Sequence, residues 1–411
     1  MNILAALALI LIAPQAHSSV RVRGEAGIES RLFNGDGVGA TEDFNIGPYA
    51  RTELKARRGM YRGLGRVFLR EDFFDAGRGI FILEEFWAGW RANGWKVRLG
   101  AQLFNWTATE AFHPADILNS RNLDSDVENT EKLGEPALRV SKSIGQGVIE
   151  AYFLPTRIAP RLPGSASRLS LSGTDSGDAL WVSNDGSLSR GNIEIQGALR
   201  ASQTFGSADI AVHLVHHRDR SQPVITLDPQ NALLTPVYLP VSQYGGTYQQ
   251  ALGAWLAKLE LAWRDFDNPD RPTRLGTVSQ EDHGQAAAGL EFGWAGNSGS
   301  ESALVLEGQR IFGVARAERA NLHLFQNDIL FGVRHAFNDT QSKELFASVL
   351  IDAERNSELL WSARYSQRIG DTWSVKTGFR IVQAPQKSSV AAGLETLRAA
   401  DQIFLTVIRH F

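Results

Sequence analysis

Charged residues fall at every second position through several stretches of this chain. Between Trp95 and Leu103, the residues Lys96, Arg98, Gly100 and Gln102 alternate with Trp95, Val97, Leu99, Ala101 and Leu103. Residues 255–264 and 373–381 repeat the pattern, with Lys258, Glu260 and Arg264, then Lys376 and Arg380, on the polar side. Strand side chains alternate between two faces, so charges at this spacing share one face. That face collects a basic set: Arg21 and Arg23, Arg51 and Lys55, Arg66 and Arg70, Lys96 and Arg98, then Arg364, Arg368, Lys376 and Arg380. It also collects an acidic set: Glu291, Glu307, Asp328, Glu344, Asp352 and Glu354. Two arcs of opposite sign across a narrow aqueous passage set up a transverse field. Such a field orients dipolar solutes and sorts ions. Glu25, Glu29 and Glu53 interrupt the basic set. The competing expectation is therefore that neighbouring charges pair and only keep the face wet.

The polar segment 105–135 is a second candidate. It is long for an idle connection, and carries Trp106, His113, Asp116, Asn119, Arg121 and Asn122. Folded inward, it would form a constriction with donors and acceptors at its edge. Asp124, Asp126 and Glu128 alternate with Ser125 and Val127, a spacing that also suits calcium but lacks the turn glycine of a helix–loop–helix site. His213, His216 and His217 are close in sequence. On a strand, His213 and His217 share a face about 13 Å apart while His216 points the other way, too far for one zinc ion. Catalytic residues, metals and cofactors are expected to be none. No Gly-x-Ser-x-Gly, His-Glu-x-x-His or phosphate-cradling glycine loop occurs after residue 18.

The elements that would carry these residues read as strands, at 20–30, 44–57, 61–73, 79–92, 94–104, 136–144, 147–155, 190–201 and 207–218. The series continues with 243–253, 255–265, 285–295, 301–312, 322–338, 343–354, 358–369, 372–383 and 401–411. Tight-turn signals separate alternate pairs: Asn93-Gly94, Gly145-Gln146-Gly147, Asn338-Asp339-Thr340 and Gly370-Asp371. The remaining connections are long and polar, including 30–43, 156–189, 219–242, 265–283 and 384–400. The expected fold is all-β: a single antiparallel up-and-down transmembrane β-barrel of about 18 strands, with 16 the second choice. Short turns would face the periplasm and long loops the exterior.

Alternation alone does not separate a membrane barrel from a soluble one. Tryptophans gather at strand ends, at Trp87 and Trp90, Trp95, Trp255 and Trp263, Trp294, Trp361 and Trp373. Amphipathic rings favour the two lipid headgroup levels. The polar face is too charged for a dry core, where each ion would cost several kcal/mol. The chain ends in an alternating strand, Ile403, Leu405, Val407 and Phe411. This resembles the C-terminal signal of Gram-negative outer-membrane β-barrels, although Arg409 stands where an apolar residue is usual. It implies recognition by the barrel-assembly machinery through the strand ending in Phe411. Gly100-Ala101-Gln102-Leu103-Phe104-Asn105-Trp106, the run Phe112 to Leu123, Phe325-Gln326-Asn327-Asp328 and the turn at 338–341 resemble uncharacterised proteobacterial porin-like barrels. The resemblance implies a barrel with a pore-type role and brings no known substrate.

The chain has 411 residues, no cysteine and a formal net charge of −3. Disulfide scaffolds and thiolate metal sites are excluded, and no basic excess points to nucleic acid. The apolar run 3–13, followed by Ala16 and Ser18, fits a signal peptide over 1–18. Residues 19–411 would then form the barrel, with 105–135 folded into it. The expected function is an outer-membrane porin-like channel for passive diffusion of small hydrophilic solutes, with outer-membrane lipid as its surroundings. The alternative is an outer-membrane export or scaffold barrel for an anionic polymer or lipid. An outer-membrane hydrolase is the third reading.

Overall fold

The computed structural model describes residues 18–128, 130–170, 173–183, 185–221, 223–267, 272–296, 299–355, 358–385 and 391–411. The expected leader at 1–18 lies outside them except for Ser18. The chain forms an 18-stranded antiparallel sheet that closes on itself. Its strands are β1 (Ser18–Phe33), β2 (Phe44–Arg58), β3 (Tyr61–Arg70), β4 (Ile80–Ala92), β5 (Trp95–Gln102) and β6 (Glu135–Ile144). Then come β7 (Gly147–Thr156), β8 (Ile193–Phe205), β9 (Ala208–Arg218), β10 (Pro240–Leu252), β11 (Trp255–Phe266) and β12 (His283–Ala295). The circuit ends with β13 (Glu301–Phe312), β14 (Asn327–Ala336), β15 (Glu344–Asp352), β16 (Leu359–Ile369), β17 (Trp373–Gln383) and β18 (Gln402–His410). Each pairs with the next, and β18 pairs back onto β1 with Glu25 opposite His410 and Phe33 opposite Gln402. Each expected strand has a counterpart, most with edges moved by a few residues.

Short and long connections alternate around the circuit, because each hairpin needs a tight reversal on one side only. Asn93 and Gly94 both take positive φ, 49° and 76°, the conformation that a two-residue hairpin requires.

The barrel is inside-out relative to a soluble protein. Phe81, Leu99 and Ile403 are 62%, 55% and 62% exposed on the outer surface. Glu260 and Asp328, on the inner surface, are 0% exposed. A continuous apolar band around a closed sheet is what lipid contact selects, since no sheet edge is left unpaired in hydrocarbon. Trp95, Trp255, Trp294 and Trp373 border the short-turn side of the band, and Trp263 and Trp361 lie nearer the long-loop side. Arg409, out of pattern in the last strand, lies on the outer face with its guanidinium 5.8 Å from the Trp373 ring.

Three expectations need correction. Trp87 is not part of the outer aromatic belt. A β-bulge between Arg66 and Val67 of β3 and the facing Glu84–Glu85 shifts the alternation of β4. Trp87 is therefore turned inward and buried, with Arg98 over its ring at 4.3 Å. The stretch 322–338 is not one strand, because residues Arg316–Leu322 form a short helix and β14 begins at Asn327. Third, Glu354 does not line the wall. β15 ends at Asp352, and Glu354 sits in the following turn paired with Arg319.

The long-loop half of the interior is not simply water-filled. Phe112, Leu169, Phe325, Leu394 and Leu397, all from long loops, pack against Val305, Leu330, Leu350, Leu360 and Val382 on the inner wall. Burying each such side chain contributes about 1.5–3 kcal/mol. Arg168 bolts this lid down. Its guanidinium donates to the carbonyls of Gly35, Glu42 and Ala399 and pairs with Asp43, joining three long loops.

The closing seam depends on one glycine. Gly24 and Phe411 exchange backbone hydrogen bonds of 2.9 Å in both directions. A Cβ at Gly24 would meet the Phe411 ring at 2.2 Å. Gly24→Val should therefore displace the ring and destabilise the barrel by about 1–3 kcal/mol, the usual range for overpacking. A lower temperature for the loss of the fast-migrating folded form on a semi-native gel would show it.

Candidate functional site

The inner face of β1–β5 carries the expected basic residues, but carboxylates sit among them. Arg51 bonds Glu84 at 3.0 Å and Glu25 at 3.2 Å. Arg66 reaches Glu84 at 3.1 Å and Glu85 at 2.8 Å. Arg70 pairs with Glu131 at 2.8 Å, and Lys55 with Glu53 at 2.6 Å. Glu84 and Glu85 face inward together because of the bulge, which strict alternation cannot foresee. Among the described residues, Arg21, Arg23, Lys96, Arg98, Arg364, Arg368 and Lys376 have no carboxylate within 4 Å.

The acidic set is mostly engaged in holding structure. Glu291 pairs with Lys258. Glu307 accepts the amides of Glu110 and Ala111 at 2.6 and 2.9 Å. Asp352 accepts the amides of Glu354 and Arg355, both at 2.8 Å. Glu344 stands 3.7 Å from Arg334. Asp328 is buried beneath the loops.

The segment 103–134 crosses the interior. Its base is stapled by side chains that copy backbone partners. Asn119 accepts from the Phe104 amide at 2.7 Å and donates to the carbonyls of Gln102 and Leu133, both at 2.9 Å. Asp116 accepts from the Trp106 amide at 3.1 Å and pairs with Arg121 at 2.8 Å and Lys132 at 2.5 Å. Asn122 donates to Glu131 at 2.9 Å. Trp106 packs edge-on against Tyr152 at 5.4 Å and beside His213 at 5.0 Å.

The tip is held by the far wall. Glu260 of β11 accepts from the amides of Ala108 at 2.6 Å, Thr109 at 3.0 Å and Ala115 at 3.2 Å, and from the Thr109 hydroxyl at 2.8 Å. His113 Nδ1 stands 3.7 Å from the same carboxylate. Glu110 then bonds Lys258 at 3.3 Å and Arg334 at 2.8 Å. On the return, Asp126 pairs with Arg380, Glu128 accepts from Ser362 Oγ at 3.0 Å, and Arg31 donates to the Ser125 carbonyl at 2.8 Å.

One small cavity opens beside the loop. It has a volume of about 100 Å³ and lies between Glu110, Asp126 and Glu128 on the loop and Arg334, Arg364 and Arg380 on the wall, floored by Phe346 and Phe404. Burial pushes the Asp126 carboxyl up, but the guanidiniums of Arg380 and Arg31 outweigh it and hold it down at about 2. Burial likewise opposes ionisation of Glu110, and Lys258 and Arg334 more than offset it. Carboxylates on one side and guanidiniums on the other give this spot a steep local field.

The residues expected at the constriction therefore divide by position. Asp116, Asn119 and Asn122 are buried and shape the loop from within, Trp106 anchors its base, Arg121 braces Asp116, and His113 stands beside Glu260. The charges beside the gap are Glu110, Asp126, Glu128 and Arg334, with the expected Arg364 and Arg380. Glu260 and Arg334 were readable as polar-face residues, but no local signal marks one as a loop anchor. Asp124 turns to Ser167, whereas Asp126 and Glu128 both face Arg380, with Glu128 also accepting from Ser362, which argues against a calcium shared by the three. His213 and His217 face inward, and His216 faces outward with its Nδ1 3.1 Å from Ser242 Oγ. His213 lies under Trp106 at mid-strand.

No protein-family model matches the chain, and no curated protein sequence does. Its structure is similar to that of a BenF-like porin from Pseudomonas fluorescens Pf-5, with a TM-score of 0.53 and 10% identity over 96% of this chain and 98% of that one. It is also similar to OpdO of Pseudomonas aeruginosa (TM-score 0.53, 10% identity, 96% of each chain). OccK5 (OpdH) of Pseudomonas aeruginosa gives a TM-score of 0.52 at 8% identity over 96% and 97%. At these identities the likeness is one of fold. The chain has the closed β-barrel fold of outer-membrane porins.

Proposed function

We propose that this barrel is an outer-membrane channel for passive diffusion of small hydrophilic solutes, with its selectivity set where the loop 103–134 meets the wall. The carrying observation is the gap in which Glu110, Asp126 and Glu128 oppose Arg334, Arg364 and Arg380 inside a barrel whose outer band is apolar. The porin-type fold supports the same reading. The alternating last strand, closing on Phe411 against Gly24, suits recognition by the barrel-assembly machinery. Ion flow across a planar bilayer containing the refolded protein tests the proposal. Discrete small conductance steps are expected, and an electrically silent membrane at either polarity refutes it.

The export reading is weaker, because an inward loop and a bolted external lid leave little room for a polymer. The Ser374–His410 pair is the arrangement that a hydrolase reading would use. Ser374 Oγ lies 2.8 Å from His410 Nε2, with Glu25 3.7 Å from Nδ1. The strand amides around Ser374 are engaged in the ladder with β16 and β18. They are not aimed at a developing oxyanion, which acyl transfer requires.

A further inference from the structure

The short-turn mouth holds a second charged chamber, unlike the gap beside the loop. Arg57 is the penultimate residue of β2, Arg62 the second of β3, Arg91 the penultimate of β4 and Lys96 the second of β5. In register, Arg57 stands opposite Arg62, and Arg91 opposite Lys96. Like charges directly opposite each other weaken a sheet. Here two such pairs lie side by side, and among the described residues none of the four has a carboxylate within 4 Å. The cavity that they line has a volume of about 520 Å³, and its other walls are Ala92, Asn93, Gly94 and Ser143. None of these lining residues is acidic.

Gly89 faces both Arg62 and Arg98 across the sheet. A Cβ there would come within 2.7 Å of the Val97 carbonyl and 3.2 Å of the Arg98 side chain. The volume lies within the range of small-molecule sites, and is far larger than a single chloride needs. Guanidiniums present forked donors that match carboxylate and phosphate oxygens two at a time. Beside the loop, Arg334 and Arg380 pair with carboxylates of the loop, and three carboxylates share the gap with three arginines. In the chamber the charges balance only when an anion arrives.

We propose that this chamber binds small organic polyanions, solutes bearing two or more carboxylate or phosphate groups, at the short-turn mouth of the passage. The travel of such solutes rests on the channel reading above, whereas their binding does not.

The test is calorimetric titration of the full chain, refolded in detergent, with citrate, inorganic pyrophosphate, acetate and sucrose. Saturable one-to-one binding of citrate or pyrophosphate is expected, with none for acetate or sucrose. The stronger of the two polyanions tells carboxylate from phosphate preference. Arg62→Gln combined with Arg91→Gln should weaken binding by about tenfold or more, since forked contacts are lost. Arg409→Gln on the outer face should leave it unchanged. Folding of the double variant is checked by its heat-dependent gel migration, and Lys96→Gln provides an independent second variant. Absence of saturable polyanion binding overturns the proposal, as does wild-type affinity in both variants. Sucrose entry into liposomes separates the two claims. Flux without polyanion binding removes the chamber and keeps the channel; binding without flux keeps the chamber and removes the channel.

Discussion

Glu260→Ala should release the tip of the inward loop and raise single-channel conductance severalfold. One carboxylate, buried in β11, accepts four hydrogen bonds from Ala108, Thr109 and Ala115. Bonds to a charged acceptor contribute roughly 1.5–3 kcal/mol each, and orphaned buried donors cost about 1–3 kcal/mol apiece. The ladder around Glu260 is made by backbone groups of β10 and β12, so the wall survives the substitution while the loop loses its hold. Glu260→Gln is the milder companion, because its amide oxygen still accepts but without charge. Conductance steps measured in a planar bilayer should rank wild type, then Gln, then Ala. Equal steps in all three would show that the tip is not what narrows the passage.

The second large effect is on charge selectivity. Asp126→Asn with Glu128→Gln removes the carboxylates facing Arg380 and leaves Arg364 and Arg380 unopposed across the gap. The anion-to-cation permeability ratio should rise about tenfold, which corresponds to about 1.4 kcal/mol. Reversal potentials in a potassium chloride gradient read it directly, and an unchanged potential would place the selective point elsewhere. Acidification should act on the same group. The Asp126 carboxyl is held down at about 2 from its ordinary 3.8, with Arg380 and Arg31 outweighing burial. A depressed carboxyl stabilises the folded loop above its ordinary value, and that contribution is lost as pH falls through the depressed one. Selectivity set by Asp126 should therefore stay flat from pH 8 to about 4 and drift towards anions only as pH approaches 2. A transition near pH 6 would point to a histidine instead.

These expectations rest on contacts of very different legibility. The outward row of Trp95, Val97 and Leu99 could be assigned from spacing, because strand side chains alternate and lipid tolerates only the apolar row. Trp87 could not, since one extra residue at Glu84–Glu85 reverses the parity of everything after it. The same bulge turns Glu84 and Glu85 inward together, so Arg51 and Arg66 pair locally. Asp116, Asn119 and Asn122 have the polarity of pore residues. They are consumed instead by backbone groups that a loop crossing the interior would otherwise leave unsatisfied.

About 18 strands, with 16 as the second choice, the alternation of short and long connections, and most of the lipid-facing row were legible in the chain. Each follows from a local rule: period two, turn chemistry, and the cost of charge in hydrocarbon. Which charges meet was fixed by folding alone. Asp126 and Arg380 are 254 residues apart and Ala108 and Glu260 are 152 apart. Such pairs come together through barrel closure and the loop's path across it, and neither leaves a periodic trace in the chain.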